Sequence, residues 1–491
     1  MLSEAKFVSM DLAPYLPELN MVFTFMLLLV FGVHYSSSLS AEMSLTNKQP
    51  ERVQADISTG PATVMWVDWA VVWCFLSFLV LVTYGYENVP LLGGVYCRST
   101  LSTGLSLYLF LWTLLCLILN RSKKSIVEHT LLLLLCTFGM HMMVMSVDFM
   151  SFYLSLELQS FCLVILCSLN YKTVSSVEAS LKYFLLSALS SAVLVLGISI
   201  VYFFLGFTDL SLFVEAYAAL PNAPLLTAAV WLITVSLLWK LAAAPLHMWA
   251  ADVYQGVQSG MTLYISTLPK LAVLGFWLNI WHTGTALLPF FACMCLLLGA
   301  FSALGQLNIK RLLAYSSIAQ MGFLLMPLCT QGGASALLTH LTLYICASMA
   351  IWGLILWPSR TPQFLWHWSS LKETHPEVSA TLVILLMSLA GLPPVAGFFG
   401  KLGIFKNSLE ESQYFLVLIA LVSTCISTYY YVRMIRIIYF EEAKEWYSFK
   451  TRMPTTQAYF ISFLTLLLCT ILWYSNPLSV YHQLLCTDLM A

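Results

Sequence analysis

The chain has 491 residues, 60% of them hydrophobic and only 9% charged, with a mean hydropathy of +0.85. A soluble domain carries about 25% charged residues, so this composition excludes one and describes a polytopic membrane protein whose core is its own helix bundle. The net charge of −1 offers no basic face for nucleic acid.

In chain order, apolar runs long enough to span a membrane lie near 12–34, 63–85, 101–120, 127–147, 149–169, 176–206, 225–249, 259–282, 286–306, 309–329, 333–357, 378–407, 412–440 and 455–475. They predict an all-α fold of about 14 transmembrane helices. The polar stretch 35–62, with Ser36-Ser37-Ser38 and Pro50, reads as a loop. The N-terminus shows no basic n-region and no cleavage site, which predicts that no leader is removed.

Lysine and arginine sort the loops into two sides. Links after odd-numbered spans, with the helix ends facing them, hold fifteen basic residues, among them Arg121, Lys172, Lys310, Arg311 and Lys372. The other side holds only Lys6, Arg98 and Lys406. This is a positive-inside bias, and it places both termini on the outer side.

Two spans look broken. The seventh contains Lys240 and Pro245; the twelfth runs through Gly391, Pro393, Pro394 and Gly397 to Lys401. Proline removes an intrahelical hydrogen bond, and the freed backbone groups must face protein or a wet cavity. Two breaks five spans apart, each beside a lysine, predict a pair of inverted five-helix repeats, spans 4–8 and 9–13. The expected segments are then 1–126, 127–285, 286–440 and 441–491.

Five charged residues lie deep in apolar runs: Glu157, Lys182, Lys240, Lys270 and Lys401. Each costs roughly 2.5–3.5 kcal/mol at the bilayer centre, and several sit too deep for their side chains to snorkel out. Titratable groups in series at this depth are what a proton path needs. Burial lowers a lysine's pKa from about 10.4 toward neutrality and a nearby carboxylate raises it again, so a lysine with a movable anion is a switch. Glu157 and Lys182 are the natural pair. His247, after the first break, is a possible auxiliary proton carrier. Ser187, Ser190, Ser191, Ser266 and Thr267 are candidate bridges, or else serve helix packing. His141 and His340 read as packing or polar glue, His129 and Asp148 as interfacial, and Asp68 as unassigned. The 13 cysteines are scattered through apolar runs and predict no disulfide framework, and Cys293-Met-Cys295 no metal site. Nothing resembles a phosphate loop, an iron–sulfur cluster motif or a haem ligand pair, so no cofactor is expected in this chain.

At these positions the chain resembles the antiporter-like subunits of respiratory complex I. The resemblance rests on Glu157-Leu-Gln-Ser160, Glu178-Ala-Ser-Leu-Lys182, Trp239-Lys240-Leu-Ala-Ala-Ala-Pro245-Leu-His-Met-Trp249, Lys310-Arg311-Leu-Leu-Ala-Tyr-Ser-Ser317 and Gly391-Leu-Pro-Pro-Val-Ala-Gly-Phe398. It implies a proton-translocating subunit of NADH:ubiquinone oxidoreductase. Glu157 and Lys182 would be its regulatory ion pair, Lys240 the central, Lys270 the connecting and Lys401 the terminal lysine. It further implies partners among the other membrane-arm subunits and lipids. NADH, FMN, iron–sulfur clusters and ubiquinone would lie in other subunits, and the mitochondrial inner membrane, or else the bacterial plasma membrane, would be the site. The sequence departs from the family pattern at Ala251, Gln255 and Gln258-Ser259-Gly260. A stand-alone cation/proton antiporter is the alternative. It calls for acidic mid-membrane ligands, and only Glu157 fits.

The charge bias makes a direct prediction. Loops 121–126 and 358–376 should react with impermeant label from the negative side, and a tag after Ala491 only from the opposite side. A tag at Ala491 labelled from the negative side would overturn the span count.

Overall fold

The computed structural model describes residues 15–46, 61–84, 89–120, 127–220, 223–279, 287–358, 363–393, 395–442, 453–473 and 476–486. They belong to two compact units, Met1–Cys162 and Leu163–Ala491.

The first unit holds α1 (Leu16–Thr46), α2 (Pro61–Tyr84), a short antiparallel hairpin of β1 (Val89–Leu91) and β2 (Tyr96–Arg98), α3 (Thr100–Asn120), α4 (Val127–Met145) and most of α5 (Phe149–Ser168). Gly93 and Gly94, at φ 75° and 94°, turn the hairpin. Met21, Leu81 and Phe110 form an apolar core among α1, α2 and α3. One expectation changes here: α1 runs on to Thr46, through residues read as loop. Between Gly32 and Pro50 nothing stops a helix, and serine costs a helix far less than glycine or proline.

The second unit begins with α6 (Val174–Leu205), the short α7 (Leu210–Ala219), α8 (Pro224–Lys240), α9 (Met248–Gly256), α10 (Ser259–Asn279), α11 (Leu287–Leu304), α12 (Ile309–Leu325) and α13 (Ala334–Leu356). After a helical turn at Leu371–Thr374 come α14 (Pro376–Ala390), α15 (Gly397–Glu410), α16 (Tyr414–Phe440), α17 (Thr455–Trp473) and α18 (Asn476–Leu485).

Among the described residues nine helices are long and apolar enough to cross a membrane: α3, α4, α5, α6, α10, α11, α12, α13 and α16. Shorter apolar stretches in α1, α2, α8, α14 and α17 complete the fourteen expected spans. In α8 and α14 the stretch is short because the span is broken and continues as α9 and α15. The 10-residue α7, unanticipated by the sequence, is too short to cross.

In the second unit the centre is α10, α12 and α13, whose spans are 94%, 89% and 94% buried. In contrast α6 and α16, at 33% and 39%, expose apolar faces. Small residues let the backbones approach. An added Cβ on Gly299 of α11 would lie 2.5 Å from the Ala319 amide nitrogen of α12, and one on Gly322 would lie 2.7 Å from Leu296.

That approach is testable. Gly299→Ala should lower the amount of assembled protein, with a destabilisation of about 1–3 kcal/mol from overpacking, because backbone rather than a flexible side chain is in the way. Normal abundance on a native gel would show that the two helices can part without cost.

Candidate functional site at the broken helices

The two breaks share one local geometry. At the first, the Ala242 amide bonds to Trp239 O at 3.1 Å and the Ala243 amide to Leu238 O at 2.9 Å, with Ala242 at φ 56°. At the second, the Gly391 amide bonds to Ser388 O and the Leu392 amide to Met387 O, both at 3.1 Å, with Gly391 at φ 77°. Each half-helix therefore closes with a left-handed residue and a pair of reversed hydrogen bonds, which satisfies its last carbonyls. The partial negative charge of a helix C-terminus is aimed at each break. Lys240 is the last residue of α8, and Lys401 reaches back from α15 to donate to Ala390 O at 2.8 Å.

Protein groups close the remaining gaps at the first break. The Ala244 amide donates to Cys295 Sγ at 3.0 Å, and Trp249 Nε1 donates to Trp239 O at 3.1 Å. Cys295, read from sequence as no metal ligand, thus serves the broken backbone. His247 is half-buried, its ring 6.3 Å from Tyr315.

Lys270 and Lys401 are buried, each 4% exposed. Lys270 Nζ donates to the Tyr344 hydroxyl at 3.3 Å and lies 5.3 Å from its ring centre. It follows Pro269 inside α10, a third proline beside a lysine, and that repetition was a signal available in the sequence. Lys401 Nζ lies 4.7 Å from the Phe323 ring centre, a cation–π arrangement. Between these lysines stand polar groups that the sequence reading left as glue or did not name. Gln320 Nε2 donates to Leu389 O at 2.9 Å, and its Oε1 is 3.1 Å from His340 Nε2. Tyr344, Gln320, His340 and Ser388 line a cavity of ≈ 10 Å³, about the room one water needs. His340 Nδ1 and Ser388 Oγ are buried there without a hydrogen-bond partner among the described residues. By contrast Ser187, Ser190, Ser191, Ser266 and Thr267 each donate to a carbonyl of their own helix.

Lys182 sits differently. Its ammonium is 2.7 Å from Glu178 Oε1, one turn earlier on α6, and 2.8 Å from Asp252 Oδ2 on α9. Asp252 Oδ1 in turn accepts from Arg311 Nη2 of α12 at 2.9 Å. These groups line a polar cleft of ≈ 370 Å³. Glu157, the anion expected beside Lys182, is on α5 in the first unit. It is half-buried; Ser160 Oγ lies 3.5 Å from its Oε2, and its Oε1 is buried without a hydrogen-bond partner among the described residues.

The first unit has a charge cluster of its own. Arg98 Nη2 donates to both Glu18 oxygens at 2.7 and 2.9 Å, and His141 Nε2 lies 3.3 Å from Glu18 Oε1. His141 was read as packing or polar glue, and Arg98 only as a loop charge. Among the described residues no group of three His, Cys, Asp or Glu is placed to hold a metal.

A family model described as NADH:quinone oxidoreductase/Mrp antiporter, transmembrane, matches residues 146–427. NADH-quinone oxidoreductase subunit N of Pelagibacter ubique is 38% identical over 338 residues, 66% of this chain and 71% of that protein. The subunit N of Paramagnetospirillum magneticum is 30% identical over 469 residues, 89% and 90% of the two chains. A chain of respiratory complex I from Thermus thermophilus with bound aureothin overlays with TM-score 0.77 at 26% identity, covering 93% of this chain and 98% of that one. A chain of the Mrp complex from Dietzia sp. overlays with TM-score 0.76 at 19% identity, a likeness of fold alone. The fold is that of an antiporter-like, multi-pass membrane subunit. The chain belongs to the NADH:quinone oxidoreductase/Mrp antiporter family, in its NADH-quinone oxidoreductase subunit N branch.

Proposed function

We propose that this chain is a proton-translocating core subunit of the membrane arm of NADH:quinone oxidoreductase, moving protons along Glu157, Lys182, Lys240, Lys270 and Lys401 with His247 as an auxiliary. One observation supports the relay most: the buried polar line between Lys270 and Lys401. A tyrosine hydroxyl and an imidazole can each accept one proton and donate another, and a lysine at a half-helix C-terminus faces a partial charge rather than a full anion. Its ammonium is therefore stabilised yet able to discharge. Tyr344, Gln320, His340 and Ser388 would carry or orient protons between the two lysines. The two matching caps support the reading of spans 4–8 and 9–13 as a duplicated unit, with 1–126 and 441–491 as flanking segments.

In this reading the redox groups, NADH, FMN, iron–sulfur clusters and ubiquinone, belong to other subunits of the complex. The exposed apolar faces of α6 and α16 meet lipid or neighbouring antiporter-like subunits. The bacterial relatives favour a plasma membrane; the mitochondrial inner membrane rests on the sequence resemblance alone, and membrane fractionation separates the two. A stand-alone antiporter would migrate on a native gel at the mass of this chain rather than with a large complex.

Lys240→Met and Lys401→Met should each cut redox-driven membrane-potential formation at least several-fold at matched assembly, and Lys→Arg should restore it only in part, because guanidinium stays protonated. Full activity with arginine at both positions would leave these lysines as structural charges. Glu157→Gln should lower quinone reduction and pumping together while assembly persists; unchanged pumping would reduce Glu157 to a packing group.

A further inference from the structure

We infer that Asp252 and Arg311 set the charge state of Lys182: Asp252 is its exchangeable counter-ion, and Arg311 is the fixed cation that keeps Asp252 compensated when Lys182 gives up its proton. The inference rests on the relay reading and adds two positioning residues to it. Three helices meet here. Asp252 at the middle of α9 offers one oxygen to Lys182 on α6 and the other to Arg311 at the start of α12, at 2.8 and 2.9 Å. The two cations are not equivalent. A guanidinium does not release its proton in a protein, whereas a lysine ammonium does. A carboxylate bound to lysine alone would lose its counter-charge each time the lysine discharged, in a cleft that leaves Asp252 only one third exposed. With Arg311 on its second oxygen, Asp252 keeps a partner through the cycle.

The surroundings fit a site that takes up and loses charge. The cleft is polar, and the side chains of Lys182, Asp252 and Arg311 are 41%, 34% and 42% exposed. The groups that face Lys182 can be named element by element. On α6 there is Glu178, and on α9 Asp252. On α12 there are Arg311 and Lys310, the latter donating to Val257 O at 2.8 Å. The only charged residue of α8, which packs along α6, is Lys240. Gly256 holds α9 against α6: an added Cβ would stand 2.5 Å from Ser175 O, so Asp252 cannot drift from Lys182 without moving the whole half-helix.

A purely structural ion cluster and a charge-setting one predict different results. In assembled complex, redox-driven proton pumping is followed from pH 6 to pH 9. Asp252→Asn removes an anion beside Lys182, so the alkaline limb of the profile should move to lower pH, by about one unit, because Glu178 keeps part of the hold. Arg311→Gln removes a competing cation and should move the same limb to higher pH. Asp252→Glu should restore the wild-type limb. Opposite displacements support the inference; equal displacements, or none at normal abundance, overturn it. If Asp252→Asn does not assemble, Arg311→Gln alone decides: an alkaline displacement supports the inference and an unmoved limb overturns it. Lys182→Met separates this from the parent reading. If it leaves pumping intact, the relay through Lys182 fails and the inference with it; if it impairs pumping while the two limbs stay put, only the inference fails.

Discussion

Inside a hydrocarbon layer a backbone amide or carbonyl has no water to bond, and leaving one bare costs several kcal/mol. A span can be interrupted there only if protein groups or a water-filled cavity take over the freed partners. Most features of the second unit follow from that constraint at α8–α9 and α14–α15. Each first half closes on itself through a left-handed residue and two reversed hydrogen bonds. Cys295 Sγ and the Trp249 indole take up groups left over at the first break, and the Lys401 ammonium takes up Ala390 O at the second. An interrupted helix so capped presents its negative end to a fixed point in the membrane, and at the second break the Lys401 ammonium occupies that point.

The charged side chains of the second unit are held in visibly different ways. Lys182 has two carboxylates and a polar cleft. Lys270 has a tyrosine, and Lys401 a carbonyl and an aromatic face. The counter-charge thus falls from full anions to dipoles as the side chains become more enclosed. Full anions pin a proton, whereas dipoles hold it less firmly. Under the proposed relay, such a grading would suit groups that exchange protons with one another. The close packing of α11 on α12 through Gly299 and Gly322 keeps the enclosing helices from yielding.

The resemblance noted in the sequence carried the family, and the comparisons agree with it. Other features needed no resemblance. Prolines and glycines beside lysines announced both breaks because their backbone chemistry is local. The extension of α1 through a serine run was misjudged because serine is a common loop residue yet a tolerable helix residue. Gln320 and Tyr344 drew no attention because a single polar residue on an apolar helix is unremarkable until its neighbours are known. Asp252 was not singled out in the sequence, and its partners are 70 and 59 residues away in the chain.

By itself the sequence determined what depends on composition and near neighbours: a polytopic membrane protein, about fourteen apolar spans and the two interruptions beside lysines. Hydrophobicity, proline geometry and charge act over a few residues and need no knowledge of the fold. Only the tertiary structure decided which groups meet: Lys182 with Asp252 and Glu178, Asp252 with Arg311, Lys270 with Tyr344, Gln320 with His340, and Lys401 with the end of α14. Hydrogen bonds and ion pairs act within about 3–4 Å, and separations that short between distant residues exist only after the helices have packed.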